Sequence, residues 1–379
     1  MNKTFRLIFS TIFILSAFFS GVPPVSAQTV FNFVAWGDTK GDSNVLTNLS
    51  NQVKLLNPVF TIYAGDLESA GFTITGMNTW KNAINGGTNN GMFDKTFPVR
   101  GNHDDAVVGT SATGWQNYFD LASHVQRIGG TNYSALNDDL TYSFDFGNSR
   151  IIGIDVPGNV TKMTAAQIFW LDERLTDAEI KGLKHAFFFW HGPFYYIANH
   201  VSGNPPPDLI NVINKHPIVS AGFYGHEHSL AYTHINSSRT PGITQQFEQI
   251  VSGDAGAGPT TPTSGRYDYW LDLAPNFGGF ALISVNGGSF TVDFYKGGTT
   301  SSLWSKTFSK SGSTPPPPVT PTRTPTQPMI TLTRTPTPPS VTGTIIPSPS
   351  RTPTQPVVSP TQTIKSPTPI GNVCTYFKN

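Results

Sequence analysis

The 379 residues allow one large or two small domains, but 17 of the 31 prolines fall in the last 65 residues, where neither Asp nor Glu occurs, which excludes a packed domain there. Setting aside Lys3 and Arg6 of the leader and Arg323, Arg334, Arg351, Lys365 and Lys378 of the tail leaves 17 basic against 23 acidic residues, a net of −6, which argues against a nucleic-acid-binding surface. The single cysteine, Cys374, excludes an intrachain disulfide and a thiolate zinc cluster.

Residues 1–27 read as a secretory signal peptide: Lys3 and Arg6, an apolar run from Leu7 to Phe19, then Val25-Ser26-Ala27 as a small-residue cleavage site. The run is too short for a membrane span, which needs about 20 apolar residues. The expectation is export, with Gln28 as the mature N-terminus and no transmembrane segment in the mature protein.

Residues 28–310 form the expected folded domain. Val30 to Trp36 is apolar and β-rich and runs into Gly37-Asp38. Ser43 to Leu56 carries apolar residues at 45, 46, 49, 53 and 56, a helical spacing, with Ser43 as N-cap and Pro58 as the stop. Val59 to Ala64 is a second strand, ending at Gly65-Asp66; strand, helix, strand suggests a crossover unit with functional loops beyond the C-terminal strand ends. Tyr142 to Phe146 and Arg150 to Val156 flank Gly147-Asn148-Ser149 as a hairpin, and Thr164 caps a helix to Leu175. Ala186 to Trp190 delivers His191, and Ile218 to Tyr224 delivers Gly225-His226-Glu227-His228. Phe280 to Val285 and Phe290 to Tyr295 alternate around Gly287-Gly288 as another hairpin. This mixture predicts an α/β sandwich.

Residues 311–370 are Pro/Thr-rich, with Thr-Arg-Thr-Pro-Thr at 322–326 and again at 333–337. Such segments favour extended polyproline II and act as disordered, semi-rigid spacers. Residues 371–379 read as the start of a further module, so the tail is expected to tether the domain to the cell surface or to a second module.

Five blocks follow strands: Gly37-Asp38-Thr39-Lys40, Gly65-Asp66, Gly101-Asn102-His103-Asp104, His191-Gly192-Pro193 and Gly225-His226-Glu227-His228. Alone, a Gly-Asp is a turn, His191 a core histidine, Asn102 an Asx-turn and Gly-His-Glu-His an exposed loop. All five in order, each leaving a strand, read as a metal site. Carboxylates, imidazoles and an amide suit Zn, Mn or Fe(II) better than Ca or Mg.

This constellation resembles the calcineurin-like metallophosphoesterase superfamily from about Phe31 to Phe308. Gln167-Ile168-Phe169-Trp170-Leu171, the Tyr142-Ser143-Phe144 hairpin with Arg150 to Asp155, and Ile250-Val251-Ser252-Gly253 look like the scaffold of its purple acid phosphatase-like branch. The resemblance implies two mixed β-sheets flanked by α-helices, with a site for two divalent metal ions at the loops on one edge. By position, Asp38 and His228 would bind the first metal, Asp66 would bridge, and Asn102, His191 and His226 would hold the second. His103 would assist the leaving group, and Asp104 would orient its loop.

Two positions depart from the family pattern. Where the first block usually reads Asp-x-His, this chain has Asp38-Thr39-Lys40, and a protonated lysine offers no lone pair to a metal. The first site is therefore expected to be weak or empty, with Asp42 a candidate ligand or a surface turn. Lys40 would contact substrate phosphate or point to solvent. Ser69 stands where purple acid phosphatases carry the tyrosine that gives ferric iron its colour, so the protein should not be purple. Tyr195, Tyr196 and His200 follow the His191 block as pocket-lining candidates, Tyr195 for substrate.

The expectation is a secreted metallophosphoesterase that hydrolyses small phosphomonoester or phosphodiester substrates by attack of a metal-bridging hydroxide. The alternative is a non-catalytic module that binds phosphate or a surface polymer, its first metal site degraded through Lys40.

Overall fold

The structure is a computed structural model that describes residues 30–69, 71–105, 111–136, 139–198 and 203–310. The readings of 1–27, 311–370 and 371–379, with Cys374 and His200, lie outside the described residues.

Two mixed sheets carry the architecture, as the α/β reading requires. In the six-stranded sheet, the adjacent strands are Trp304–Ser309, Ser289–Lys296, Gly279–Asn286, Val30–Trp36, Phe60–Tyr63 and Thr96–Pro98. The last three are mutually parallel, with Phe33 opposite Phe60 and Ile62 opposite Phe97, while Val30–Trp36 meets Gly279–Asn286 antiparallel. The eight-stranded sheet runs Tyr269–Leu271, Leu230–Ile235, Phe247–Ser252, Val219–Tyr224, His185–Trp190, Ser149–Gly153, Thr141–Phe146 and Thr131–Leu136. Its central four, from Phe247–Ser252 to Ser149–Gly153, are parallel.

The inner faces of the sheets meet through aromatic rings. Phe33 packs on Phe187 and Phe223, each 5.6 Å between ring centroids, and on Phe60 at 5.0 Å. Each such ring, taken wholly from water, contributes roughly 1.5–3 kcal/mol. Helix Ala165–Ile180 covers the outer face of the eight-stranded sheet with Ile168, Leu171 and Leu175. Its capping box pairs Thr164 with Gln167, as a polar N-cap three residues before Gln permits.

Helix Ser43–Leu56 has the predicted span and buries Val45, Leu46, Leu49 and Val53. Its cap is Asp42, whose Oδ1 accepts the N–H groups of Asn44 and Val45 at 3.1 and 3.3 Å, in place of the expected Ser43. A carboxylate at the helix start satisfies orphan donors and faces the positive end of the helix dipole. The helix ends at Asn57, in left-handed backbone, before Pro58.

Parallel strands end on one edge, and that places the five blocks. Val30–Trp36, Phe60–Tyr63 and Thr96–Pro98 deliver Asp38, Asp66 and Asn102, while His185–Trp190 and Val219–Tyr224 deliver His191 and the 225–228 block. The two sheets are stitched there: His191 Nδ1 donates to the Ala64 carbonyl at 2.7 Å.

Candidate metal centre

Four donor atoms converge at the strand ends. Asn102 Oδ1 lies 3.0 Å from His191 Nε2 and 2.9 Å from His226 Nδ1; the two imidazole nitrogens are 3.2 Å apart, and Asp66 Oδ1 is 3.3 Å from His191 Nε2. Ligands of one divalent ion at roughly 2.0–2.2 Å stand about 3 Å from their neighbours, so the spacing suits a single cation. The Ala64 carbonyl can only accept, so His191 carries a proton on Nδ1, and neutral His191 then turns the lone pair of Nε2 into the cluster. Asp38, Asp66 and His191 together form a buried group able to hold a metal.

The other side of Asp66 is built differently. Its Oδ2 is buried and takes no hydrogen bond, and both Lys40 Nζ and His103 Nε2 stand 3.9 Å from it. Both Asp38 oxygens accept the His226 backbone N–H, at 3.0 and 2.9 Å, and Oδ1 lies 3.7 Å from His228 Nε2. The donor set therefore fits a cation on the Asp66 Oδ1 side, while Oδ2 faces the Lys40 ammonium and the His103 imidazole. All seven residues assigned to metal or acid–base roles from the sequence lie in this cluster.

The family model for calcineurin-like phosphoesterase matches residues 31–230, more than half of the chain. The chain belongs to the calcineurin-like phosphoesterases.

No curated protein sequence matches this calcineurin-like phosphoesterase. Among solved structures, a purple acid phosphatase isolated from yellow lupin (Lupinus luteus) seeds shares the fold with a TM-score of 0.56 and 17% identity, over 75% of this chain and 54% of the lupin one. The chain thus spans about half the length of that relative. A dimetal phosphatase from Danio rerio has a TM-score of 0.50 and 14% identity, covering 75% of this chain and 100% of that one. GAP50, the anchor in the inner membrane complex of Plasmodium, has 0.51 and 12%, covering 76% and 91%.

Burial sets the electrostatics of the candidate site. It pushes the Asp38 carboxyl well above the usual range, an effect that His191 opposes and Asp66 reinforces. Asp66 goes the other way: burial works against its charge, but the neighbouring His191, through charge and a hydrogen bond, holds it below the usual range. Burial likewise opposes the charge of His191, yet Asp66 and Asp38 lift it to about 9. The enclosed Asp66 carboxylate thus draws positive charge to one spot, and Asp38 ionises there only against burial and the charge of Asp66.

Glycine makes this closeness feasible at two ligand loops. A Cβ on Gly101 would lie 2.1 Å from Asp66 Oδ1, and one on Gly225 would lie 2.2 Å from Asp38 Oδ2. Asp38, Lys40, Asp66 and His226 themselves hold positive φ, between 47° and 67°. Such backbone persists only where surrounding contacts hold it. Here the N–H groups of Thr39 and Lys40 both donate to the Asp66 carbonyl, at 3.0 and 3.2 Å.

Supporting residues fix the loops. Asp104 accepts the N–H groups of Leu67, Glu68 and Gly101 at 3.0, 3.1 and 2.8 Å, tying the third block to the second; burial, then Asp66, pushes it up to about 7. Arg100 grips Asp155 with two bonds of 2.8 and 2.6 Å and Asp105 with a third of 2.8 Å. His103 Nδ1 donates to the Ser69 carbonyl at 2.9 Å, which turns Nε2 toward the site.

Lys40 is turned toward Asp66, with its side chain only 24% exposed. Tyr195 exchanges backbone hydrogen bonds with the Gln249 amide, and its ring lies under the Arg266 guanidinium at 4.5 Å. Tyr196 is the neighbour whose ring meets His226, at 6.3 Å. Asp42, as the helix cap, has its carboxylate engaged away from the cluster.

Glu227 was assigned no role from sequence. Wholly buried, it accepts the N–H groups of Ile197 and Ala198 at 2.8 Å each, and burial pushes it up to about 7 against those bonds. A carboxylate flanked by two candidate histidine ligands was the available signal. Arg100, directly before Gly101, offered none, because its partner Asp155 is 55 residues away.

Proposed function

We propose that this protein is a secreted, metal-dependent phosphoesterase acting on phosphomonoesters or phosphodiesters. The observation that carries the reading is the convergence of Asp66 Oδ1, Asn102 Oδ1, His191 Nε2 and His226 Nδ1 at 2.9–3.3 Å spacings in a family of phosphoesterases. Mn, Zn or Fe(II) held there would supply the charge that acidifies water and offsets negative charge on a phosphoryl group.

The chain's own residues support the rest. His191 is oriented before any cation arrives, since its Nδ1–H donates to the Ala64 carbonyl. His103 is anchored through Nδ1 to Ser69, and its Nε2, with the side chain 35% exposed, is available to give a proton to a leaving oxygen or hydrogen-bond a phosphoryl oxygen. Buried Asp66, whose charge burial opposes but which His191 holds below the usual carboxylate range, supplies the negative charge that gathers positive charge at the site. Export rests on the leader-like residues 1–27 and is read by sequencing the N-terminus of the mature protein, expected at Gln28.

The test is hydrolysis of para-nitrophenyl phosphate and bis-para-nitrophenyl phosphate with Mn, Zn or Fe(II), abolished by chelator and restored by metal. His103→Ala should lower kcat by about 10²–10⁴-fold. Wild-type protein inactive toward both esters with every metal would overturn the enzymatic reading and leave a non-catalytic phosphate- or polymer-binding module, which the ammonium at Asp66 favours.

A further inference from the structure

We propose that the Lys40 ammonium takes the place of the first cation, so that the protein holds one divalent ion, on the Asp66 Oδ1 side, and a covalently tethered positive charge on the Oδ2 side. This rests on the phosphoesterase reading of the same site and departs from the two-ion pattern that the sequence resemblance implies.

The two oxygens of Asp66 have unlike surroundings. Oδ1 accepts the His103 backbone N–H at 2.9 Å and faces His191, Asn102 and His226, side chains that can give lone pairs to a cation, His191 once it has released a proton. Oδ2 is enclosed, accepts no hydrogen bond, and has Lys40 Nζ at 3.9 Å. A buried carboxylate oxygen without a hydrogen bond requires compensating charge; His103 Nε2 stands at the same 3.9 Å, and Lys40 is the neighbour with a permanent ammonium. An ammonium there competes with a metal ion for the same oxygen, because it has positive charge to offer and no lone pair.

The position of Lys40 is held by its backbone. Thr39 and Lys40 donate to the Asp66 carbonyl at 3.0 and 3.2 Å, and Lys40 sits at φ 47°, in the left-handed region that a side chain of its size rarely adopts. Thr39 is fixed in turn by a hydroxyl contact to buried Tyr63. The loop therefore directs the lysine inward, and at 24% exposure its side chain is well enclosed for a residue type that normally extends into water. A solvent-pointing lysine would leave Oδ2 open to a second ion.

The experiment counts ions independently of turnover. Full-length protein saturated with Mn(II) is desalted, its metal content measured by mass spectrometry, and its Mn spectrum recorded by electron paramagnetic resonance. Wild type should retain one Mn(II) per chain with an uncoupled spectrum. Lys40→His should retain two with a spin-coupled spectrum, and the second ion should bind at least tenfold more tightly than any second ion to wild type. Two tightly held ions in wild type, none, or only one in a folded Lys40→His would overturn the inference. Ester hydrolysis reads the proposed function separately: one ion without turnover leaves this inference standing and removes that reading, and two ions with turnover do the reverse.

Discussion

The Glu227 carboxylate, in the turn between His226 and His228, accepts the backbone N–H of Ile197 at 2.8 Å and so fastens the segment after His191 to the loop carrying the two other histidines. Ala198 adds a second bond of 2.8 Å to the other oxygen. Three of the site's histidines thus share one buried anchor.

Glu227→Ala should cost about 2–4 kcal/mol of stability, because it leaves two buried N–H groups unsatisfied at roughly 1–3 kcal/mol each with some relaxation. Urea unfolding of the metal-loaded protein measures it. A loss under 1 kcal/mol would mean that the segment after His191 is held by other contacts.

Gly101→Ala should reduce metal affinity by tenfold or more while leaving the strands intact. Its methyl would meet Asp66 Oδ1 at 2.1 Å, so the Asp66 carboxylate or the Asn102 loop has to move. Calorimetric titration with Mn or Zn, beside a circular dichroism spectrum, checks both halves. Unchanged affinity would show that Asp66 Oδ1 is not a ligand.

Divalent metal at 100 times its dissociation constant should stabilise the fold by about 2.7 kcal/mol, and chelator should remove the gain. For a domain of this size that is roughly 4–5 °C in Tm. His191→Ala and Asn102→Ala should lose the shift. Burial opposes the charge of His191, but Asp66 and Asp38 lift it to about 9, so an ion must displace its proton, and at one fixed metal concentration the shift should grow from pH 6 to pH 8. Scanning calorimetry at both pH values provides the comparison; a shift that shrinks with rising pH contradicts it.

His185 should make the fold acid-sensitive. Burial chiefly lowers it to about 4; Nε2 donates to the Gly287 carbonyl at 3.0 Å, and Lys310 adds to the lowering. Below about 6.5 the unfolded chain takes up a proton that the folded chain refuses until about 4, so this contribution is complete above pH 6.5 and is lost as pH falls to about 4. The loss at the acid end is about 3 kcal/mol. His185→Gln should flatten the fall in urea midpoint between pH 7 and pH 4.5 relative to wild type, and parallel curves would count against the assignment.

Much of this protein was legible along the chain because its signals are local. The apolar spacing of Val45, Leu46, Leu49 and Val53 specified a helix, and the alternation around Gly287-Gly288 specified a hairpin whose strands pair from Gly279 opposite Lys296 to Asn286 opposite Ser289. The candidate ligand residues stood out along the chain because each block leaves a strand beside a glycine. Asp42 displaced Ser43 as the helix cap because both can cap, and only the backbone path decides which side chain reaches the free N–H groups.

By itself the sequence determined the alternation of strands and helices, the order of the five blocks and the substitution of lysine for histidine at position 40. Tertiary structure alone decided which atoms meet. Asp66 and His191 are separated by 125 positions, and only the parallel strand ends of two different sheets bring their donor atoms within 3.3 Å. Asp155 becomes the partner of Arg100, and Glu227 the anchor of Ile197, for the same reason. Periodicity fixes which face a residue takes, but pairing between distant loops depends on sheet order and register. Whether Lys40 faced water or Asp66 was such a question, and the left-handed turn at Lys40, tied to the Asp66 carbonyl, turned it inward.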